Sequence, residues 1–291
     1  MEVSSISVVS GQVSSTEGLP IHYDLYSPVT RNAVTFPVII FLHGFKGFKD
    51  WGPFPDACEE LSRAGFAVLA FNFSLNGIGE KKTEFSEGDL FERETFSQDL
   101  ADIGSIIDAL QNGEIDDSHS NLNTDKIGLV GHSRGGHTAI SAAVEFAPIQ
   151  CLVTWSAVAD YENRWTDEMK KDWEKKGYTL IKNSRTGEEM KLGKVVYEDF
   201  IQNASRVNAI NRVKELRIPA LFIHGREDES VPYTDSEQLH IACKSKNKEL
   251  RLIANTGHTY GSAHPFEEPE FPKPFSEVLN WTEGWFLEHL R

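Results

Sequence analysis

The sequence predicts an α/β fold: a mostly parallel central sheet with helices on both faces and a small inserted cap. Three observations lead there. Apolar runs of strand length alternate along the chain with helix-patterned segments, the pattern of consecutive βαβ units. Those runs are continuous rather than alternating, as expected of strands buried on both faces. The length, 291 residues, suits one large domain, residues 1–291, and a single segment breaks the rhythm.

The elements follow in order. Residues 6–9 and 21–26 alternate in polarity and are separated by Gly18 and Pro20; they read as antiparallel strands at a sheet edge. Residues 38–42 form the first buried strand. Residues 57–64 form a helix ended by Gly65, and 66–71 the next strand. Over 94–110, Phe96, Leu100, Ile103, Ile106, Ile107 and Leu110 recur at helical spacing, with Gly113 beyond the end. A strand over 126–130, a small-residue helix over 135–146 and a strand over 151–155 come next. A strand over 219–223, a helix starting at Thr234, a strand over 250–254 and a helix over 275–290 complete the series.

The irregular segment starts at Asp160 and is too long for a plain crossover. Residues 167–176 read as a charged helix. Residues 178–193 read as a hairpin centred on Asn183-Ser184-Arg185-Thr186-Gly187. The segment also holds Trp165, Trp173, Tyr178, Tyr197 and Phe200. An insertion over 160–203 acting as a cap is the expectation, because long insertions in compact domains tend to be functional lids. A surface excursion without a role is the alternative.

Composition excludes several function classes. Lys plus Arg number 29 and Asp plus Glu 44, for a net charge of −15. Such a field repels polyanions, so no nucleic-acid partner and no membrane partner are expected. The apolar runs are too short to span a bilayer. Residues 1–15 show no basic region followed by an apolar stretch, so a cytoplasmic location is expected. Cys58, Cys151 and Cys243 are widely spaced and fit buried thiols in a reducing compartment. No H-E-x-x-H or H-x-x-E-H spacing occurs, and Gly44-Phe45-Lys46-Gly47 lacks the ending of a phosphate loop. No metal and no cofactor are expected. The oligomeric state is not written in the sequence.

The chemistry concentrates in Gly131-His132-Ser133-Arg134-Gly135, a G-x-S-x-G motif between a predicted strand and a predicted helix. That setting makes a tight turn that lifts the serine hydroxyl above the sheet, at a helix N-terminus. A serine needs a base to become a nucleophile. His258 follows the strand over 250–254, at the same sheet edge; His264 is its rival, although Pro265 and the acidic stretch after it suggest an external loop. The orienting acid is expected after the preceding strand, among Glu227, Asp228 and Glu229, with Asp160 as the other candidate. The order serine, acid, histidine is the one this architecture uses. His43 reads as a prop for its turn, and His132 as packing against the sheet.

On these residues the chain resembles the α/β-hydrolase superfamily. Gly131-His132-Ser133-Arg134-Gly135-Gly136 looks like its nucleophile elbow, His224-Gly225-x-x-Asp228-x-x-Val231-Pro232 like its acid loop, Gly257-His258 like its histidine loop, and His43-Gly44-Phe45 like its oxyanion turn. The nearest groups are serine esterases related to dienelactone hydrolases, including the cinnamoyl (feruloyl) esterases, and the catalytic domains of prolyl-oligopeptidase-like peptidases. Dienelactone hydrolases themselves use cysteine where this chain has Ser133. Cinnamoyl esterases are similar in carrying an inserted subdomain near this position.

The resemblance implies the α/β-hydrolase fold and a catalytic triad of Ser133, Asp228 and His258. It also implies an oxyanion hole from the backbone N–H groups of Phe45 and Arg134. A small-molecule carboxylic ester is the implied substrate, cleaved through an acyl-enzyme. A peptidase or amidase, or a non-catalytic binding protein on the same fold, are the alternatives. Phe45, Phe48, Trp51 and Trp165 are candidates to line the substrate site, or else to pack their loops onto the core.

Overall fold

The continuous apolar runs all become strands of one sheet. The computed structural model describes residues 5–30, 34–79, 81–183 and 186–291. Along the chain come β1 (Ile6–Ser14), β2 (Pro20–Pro28), β3 (Thr35–Leu42), α1 (Phe54–Arg63), β4 (Ala67–Phe71), α2 (Gly88–Glu92) and α3 (Phe96–Gln111). β5 (Asn121–His132), α4 (Arg134–Glu145) and β6 (Ile149–Trp155) follow. The insertion contributes α5 (Asp167–Lys176), β7 (Tyr178–Lys182), β8 (Glu189–Gly193) and α6 (Val195–Val207). The chain then forms α7 (Ala209–Arg212), β9 (Ala220–Gly225), α8 (Thr234–Ala242), β10 (Lys248–Ile253) and α9 (Lys273–His289).

Eight strands form the main sheet in the order β1-β2-β4-β3-β5-β6-β9-β10. β2 runs antiparallel to both β1 and β4, and every pairing from β4 to β10 is parallel. β3 sends the chain to β4 on one side, while β5 lies on its other side. This reversal opens a crevice beyond the carboxyl ends of β3 and β5, the place where such sheets bind ligands.

Alternation along the strands divides the core. Val38, Ile40 and Leu42 face the layer of α3, α4 and α8; Ile39 and Phe41 face α1 and α9. Gly128 in β5 faces α9: a Cβ there would lie 2.6 Å from the Phe286 ring and 2.9 Å from a Leu290 methyl. Cys58, Cys151 and Cys243 are buried and unbridged, and burial pushes their thiols up. Among the described residues, no helix is long and apolar enough to cross a membrane.

The structure extends two sequence expectations. β5 begins at Asn121, five residues before its apolar run, because residues 121–123 pair with residues 35–37 of β3 across a register shift. α6 runs past residue 203, the expected end of the insertion, to Val207. The insertion's α5 is capped by Thr166, which accepts from Met169 N–H, and ends on Gly177 at φ +81°. β7 and β8 form the expected hairpin as a separate two-stranded sheet; Ser184 and Arg185 at its tip lie outside the described residues.

Trp165, Trp173, Leu192, Val196 and Phe200 form the insertion's core together with Phe96 of α3. Trp173 Nε1–H donates to the Leu192 carbonyl at 2.9 Å.

Asp102 ties α3 to the exit of β4. It is fully buried and accepts from Ser74 N–H at 2.7 Å, Gln98 Nε2 at 2.8 Å and Ser74 Oγ at 3.1 Å. Burial outweighs these bonds and pushes its carboxyl up to about 7. Between about pH 4 and about pH 7 the folded chain therefore keeps a proton that the unfolded chain has lost, so this group makes stability fall as pH rises. Asp102→Asn should flatten that slope. Urea unfolding at about pH 5 and about pH 8 measures it, and an unchanged difference between the two pH values contradicts the assignment. Gly128→Ala should lower stability by about 1–3 kcal/mol through overpacking against α9, read from the urea midpoint.

Candidate active site

Ser133 stands between the end of β5 and the start of α4 with φ +56° and ψ −117°. This conformation costs a non-glycine residue roughly 1–3 kcal/mol and persists only where its surroundings enforce it. Here Ser133 N–H donates to the Trp155 carbonyl at 2.8 Å, and the Ser133 carbonyl accepts from His137 N–H at 3.1 Å. The glycines allow backbone to meet backbone. A Cβ on Gly131 would lie 2.4 Å from the Gly135 carbonyl oxygen, and one on Gly135 would lie 2.4 Å from the carbonyl oxygens of both Leu42 and His43. The elbow is thus pressed against the end of β3. The turn that follows β3 touches it too, since a Cβ on Gly44 would lie 3.0 Å from the Ser133 Cβ.

Asp228 and His258 follow β9 and β10 at the same sheet edge. His258 Nδ1–H donates to Asp228 Oδ2 at 2.7 Å. The other carboxylate oxygen, Oδ1, accepts from Val231 N–H at 2.8 Å and Ser230 N–H at 2.9 Å. His224 Nε2 lies 3.1 Å from Oδ2 and 2.9 Å from the Val231 carbonyl. Burial pushes the Asp228 carboxyl up, but the bonds from His224, His258 and the Val231 N–H hold it well below the usual carboxylate range.

The competing acids lie elsewhere. Glu227 and Glu229 are exposed. Asp160 Oδ1 accepts from Glu162 N–H and Asn208 Nδ2 at the base of the insertion.

Two neighbouring histidines hold the loops. His132 Nε2–H donates to the His258 carbonyl at 3.0 Å, with the two rings 4.7 Å apart. Burial lowers His132 to about 3, so it stays a neutral donor. It does more than pack against the sheet: it fixes the backbone of the histidine loop. The only sequence signal for this was its place beside Ser133. His43 Nδ1–H donates to the Gly44 carbonyl at 2.9 Å, and Nε2 faces Phe73 N–H and Asn76 Nδ2 at 3.4 Å. Burial lowers it to about 4.

Ser133 and His258 open onto one cavity of about 340 Å³ that Gly44, Phe45, Lys46, Trp51, Phe54, Asn183 and His264 also line. Among the described residues Ser133 Oγ makes no hydrogen bond to His258; such bonds often tighten only when substrate is bound.

Three sequence expectations need correction here. Phe48 does not line the cavity: it is fully buried among Ile78, Phe85, Phe91 and Met190, which the loop before α2, α2 itself and the hairpin bring over it. Trp165 packs inside the insertion's core against Phe96, Trp173, Tyr197 and Phe200. His264 is not on an external loop, since it lines the cavity and its Nδ1 accepts from Gly52 N–H at 2.9 Å. Of the four aromatic candidates, Phe45 and Trp51 line the cavity.

The sequence matches the prolyl oligopeptidase family (Peptidase_S9) over residues 59–286. The chain belongs to that family. This member of the prolyl oligopeptidase family is a hydrolase with the α/β-hydrolase fold. It is 25% identical to an uncharacterized 31.7 kDa protein of the traX-finO intergenic region of Escherichia coli, over 90% of this chain and 94% of that one. It is 28% identical to the mitochondrial palmitoyl-protein thioesterase ABHD10 of Homo sapiens, over 76% of this chain and 67% of that one. Its fold is shared by Est1E of Butyrivibrio proteoclasticus with ferulic acid bound, at a TM-score of 0.66 and 20% identity, covering 96% of this chain and 98% of that one.

In this prolyl oligopeptidase family member the residue after Ser133 is anchored inside the protein. The Arg134 guanidinium reaches Asp99 at 2.8 Å and Glu94 at 3.4 Å, and all three side chains are nearly free of solvent. It also lies 4.2 Å from the centre of the Phe96 ring and 5.6 Å from that of Phe45. Burial holds both carboxyls above the usual carboxylate range, and Arg134 draws them only partly back down. Removing one partner of a buried ion pair strands the remaining charges. Arg134→Met should therefore lower stability by about 3–5 kcal/mol in guanidinium unfolding. Adding Glu94→Gln and Asp99→Asn should restore much of it; no restoration would show that packing, not charge, is what Arg134 supplies.

Proposed function

We propose that the protein is a serine hydrolase of carboxylic esters that works through an acyl-enzyme on Ser133. One observation carries the reading: a strained serine at the elbow shares its cavity with a histidine whose Nδ1–H is held by a buried, ionised carboxylate. With Nδ1 protonated and bonded to Asp228, the neutral ring offers its Nε2 lone pair as a base. Ser133 Oγ bonds to the carbonyl carbon while its proton passes to His258 Nε2. The carbon–oxygen bond to the alcohol then breaks, and His258 returns the proton to the departing oxygen. Water repeats the sequence on the acyl-enzyme, releasing the acid and restoring Ser133. Asp228 keeps the ring's tautomer and stabilises the imidazolium.

Charge on the carbonyl oxygen would be met by the N–H groups of Phe45 and Arg134, each worth about 2.7–4 kcal/mol in comparable sites. The contact of Gly44 with the Ser133 side chain supports this pairing. The insertion is proposed as the cap. Asn183, beyond β7, lines the cavity, and Lys46 Nζ donates to the Lys182 carbonyl at 3.0 Å. The thioesterase activity in the name of the human relative supports an ester over an amide. The family's peptidases favour the second reading, cleavage of a peptide or amide.

Hydrolysis of p-nitrophenyl esters from acetate to octanoate, beside amino-acid p-nitroanilides, decides between the two. Ester turnover should dominate and vanish in Ser133→Ala. Asp228→Asn should lower kcat by roughly 10⁴-fold, the loss known for the wrong imidazole tautomer in a serine protease. Preferred anilide turnover would move the assignment to a peptidase. A folded wild type inert to both series and to a fluorophosphonate probe would overturn it.

A further inference from the structure

The cavity at Ser133 has an electrostatic character that the chain as a whole does not. The protein carries 44 acidic and 29 basic residues, yet no carboxylate lines this cavity among the described residues, and Lys46 is the one lining residue with a fixed charge. Lys46 lies next to Phe45, on the turn whose Gly44 touches the Ser133 side chain.

Lys46 is also compensated differently from the well-buried cations. The well-buried cations Lys49 and Arg134 both have carboxylate partners: Asp24 and Asp50 for the first, Glu94 and Asp99 for the second. Lys46 is partly buried and, among the described residues, has no carboxylate partner; its Nζ donates to the Lys182 carbonyl at 3.0 Å. An ammonium group has three donors and a carbonyl takes one. The carbonyl fixes the position of the group without neutralising it. Burial accordingly lowers the Lys46 pKa. A charge drawn partly out of water is disfavoured until a counter-charge meets it.

We propose that Lys46 is a specificity residue that binds an anionic group on the substrate, so that the preferred substrate is an ester bearing a carboxylate or phosphate beside the scissile bond. The inference rests on the ester-hydrolase reading above. The net charge of −15 repels such a substrate at a distance, but the Debye length is only about 8 Å at physiological salt, and inside the cavity the near cation dominates. The carbonyl of Lys182 would hold the ammonium ready, sparing the long side chain much of its ordering on binding.

The test uses two matched pairs of esters with the full chain. In 4-acetoxybenzoate and its methyl ester the anion sits on the leaving group; in monomethyl and dimethyl terephthalate it sits on the acyl group. The readout is the ratio of kcat/KM for the anionic ester to that for its neutral partner. Comparing this ratio between variants cancels both intrinsic ester reactivity and any general loss from altering the turn.

In at least one pair the ratio should fall about tenfold or more in Lys46→Gln, the scale of a hydrogen bond to a charged group. It should be retained in Lys46→Arg, and in the wild type it should shrink with added salt. The pair that responds tells which side of the bond faces Lys46. If the ratio is the same in wild type and Lys46→Gln for both pairs while neutral esters are turned over, Lys46 is only a tie to the hairpin and the proposal falls alone. If the wild type turns over none of the four esters, the ester-hydrolase reading fails and takes the proposal with it.

Discussion

A backbone-on-backbone contact that tolerates no side chain governs this molecule. The Cα of Gly135 rests against the carbonyls of Leu42 and His43, and Gly131 lies equally close to Gly135. These contacts join the elbow after β5 to the end of β3, the two strands that flank the topological switch. Ser133 is held at positive φ between them, and the turn bearing Phe45 is fixed relative to it. The strain is offset by structure already in place: the bond to the Trp155 carbonyl, the first turn of α4, and the guanidinium of Arg134 anchored on α3. The proposed nucleophile and the N–H groups proposed to serve it can then keep their mutual position without reorganising when substrate arrives.

Imidazoles secure the loops around that frame. His43 and His132 each donate to a loop carbonyl, and His224 bridges Ser236, Asp228 and Val231. Burial keeps His43 and His132 uncharged well below the usual histidine range. Their depressed values carry an acid liability. As pH falls from about 6.5 toward about 4, the unfolded chain gains protons that the folded chain refuses, so the stability these groups hold at neutral pH is progressively lost. Asp102 acts in the opposite sense over much of the same range.

Much of the fold was legible because its signals are local. A strand buried on both faces must be a continuous apolar run, and residues 38–42, 66–71 and 151–155 obey that rule. G-x-S-x-G between a strand and a helix, an acid loop beginning His224-Gly225, and Gly257-His258 fall in the order the architecture requires. What was not legible depends on distant chain. Phe48 sits among glycine and lysine, as an exposed loop residue would, and is buried only because Phe85, Phe91 and Met190 close over it. Trp165 looks like a site aromatic until the insertion is seen to need it as core. His264 stands before proline and acidic residues, yet the Gly52 N–H draws it to the cavity wall. Nor is the insertion a detachable module, since Phe96 of α3 is part of its core.

The three thiols have a practical consequence. Cys58 lies on α1, Cys151 within β6 inside the sheet, and Cys243 directly after α8. All three are sheltered and held in the unreactive protonated form. An electrophile can therefore capture them only when the structure around each one opens. The protein thus carries three built-in clocks for its own breathing: α8 can be timed against α1, and both against rupture of the sheet, without adding a foreign label.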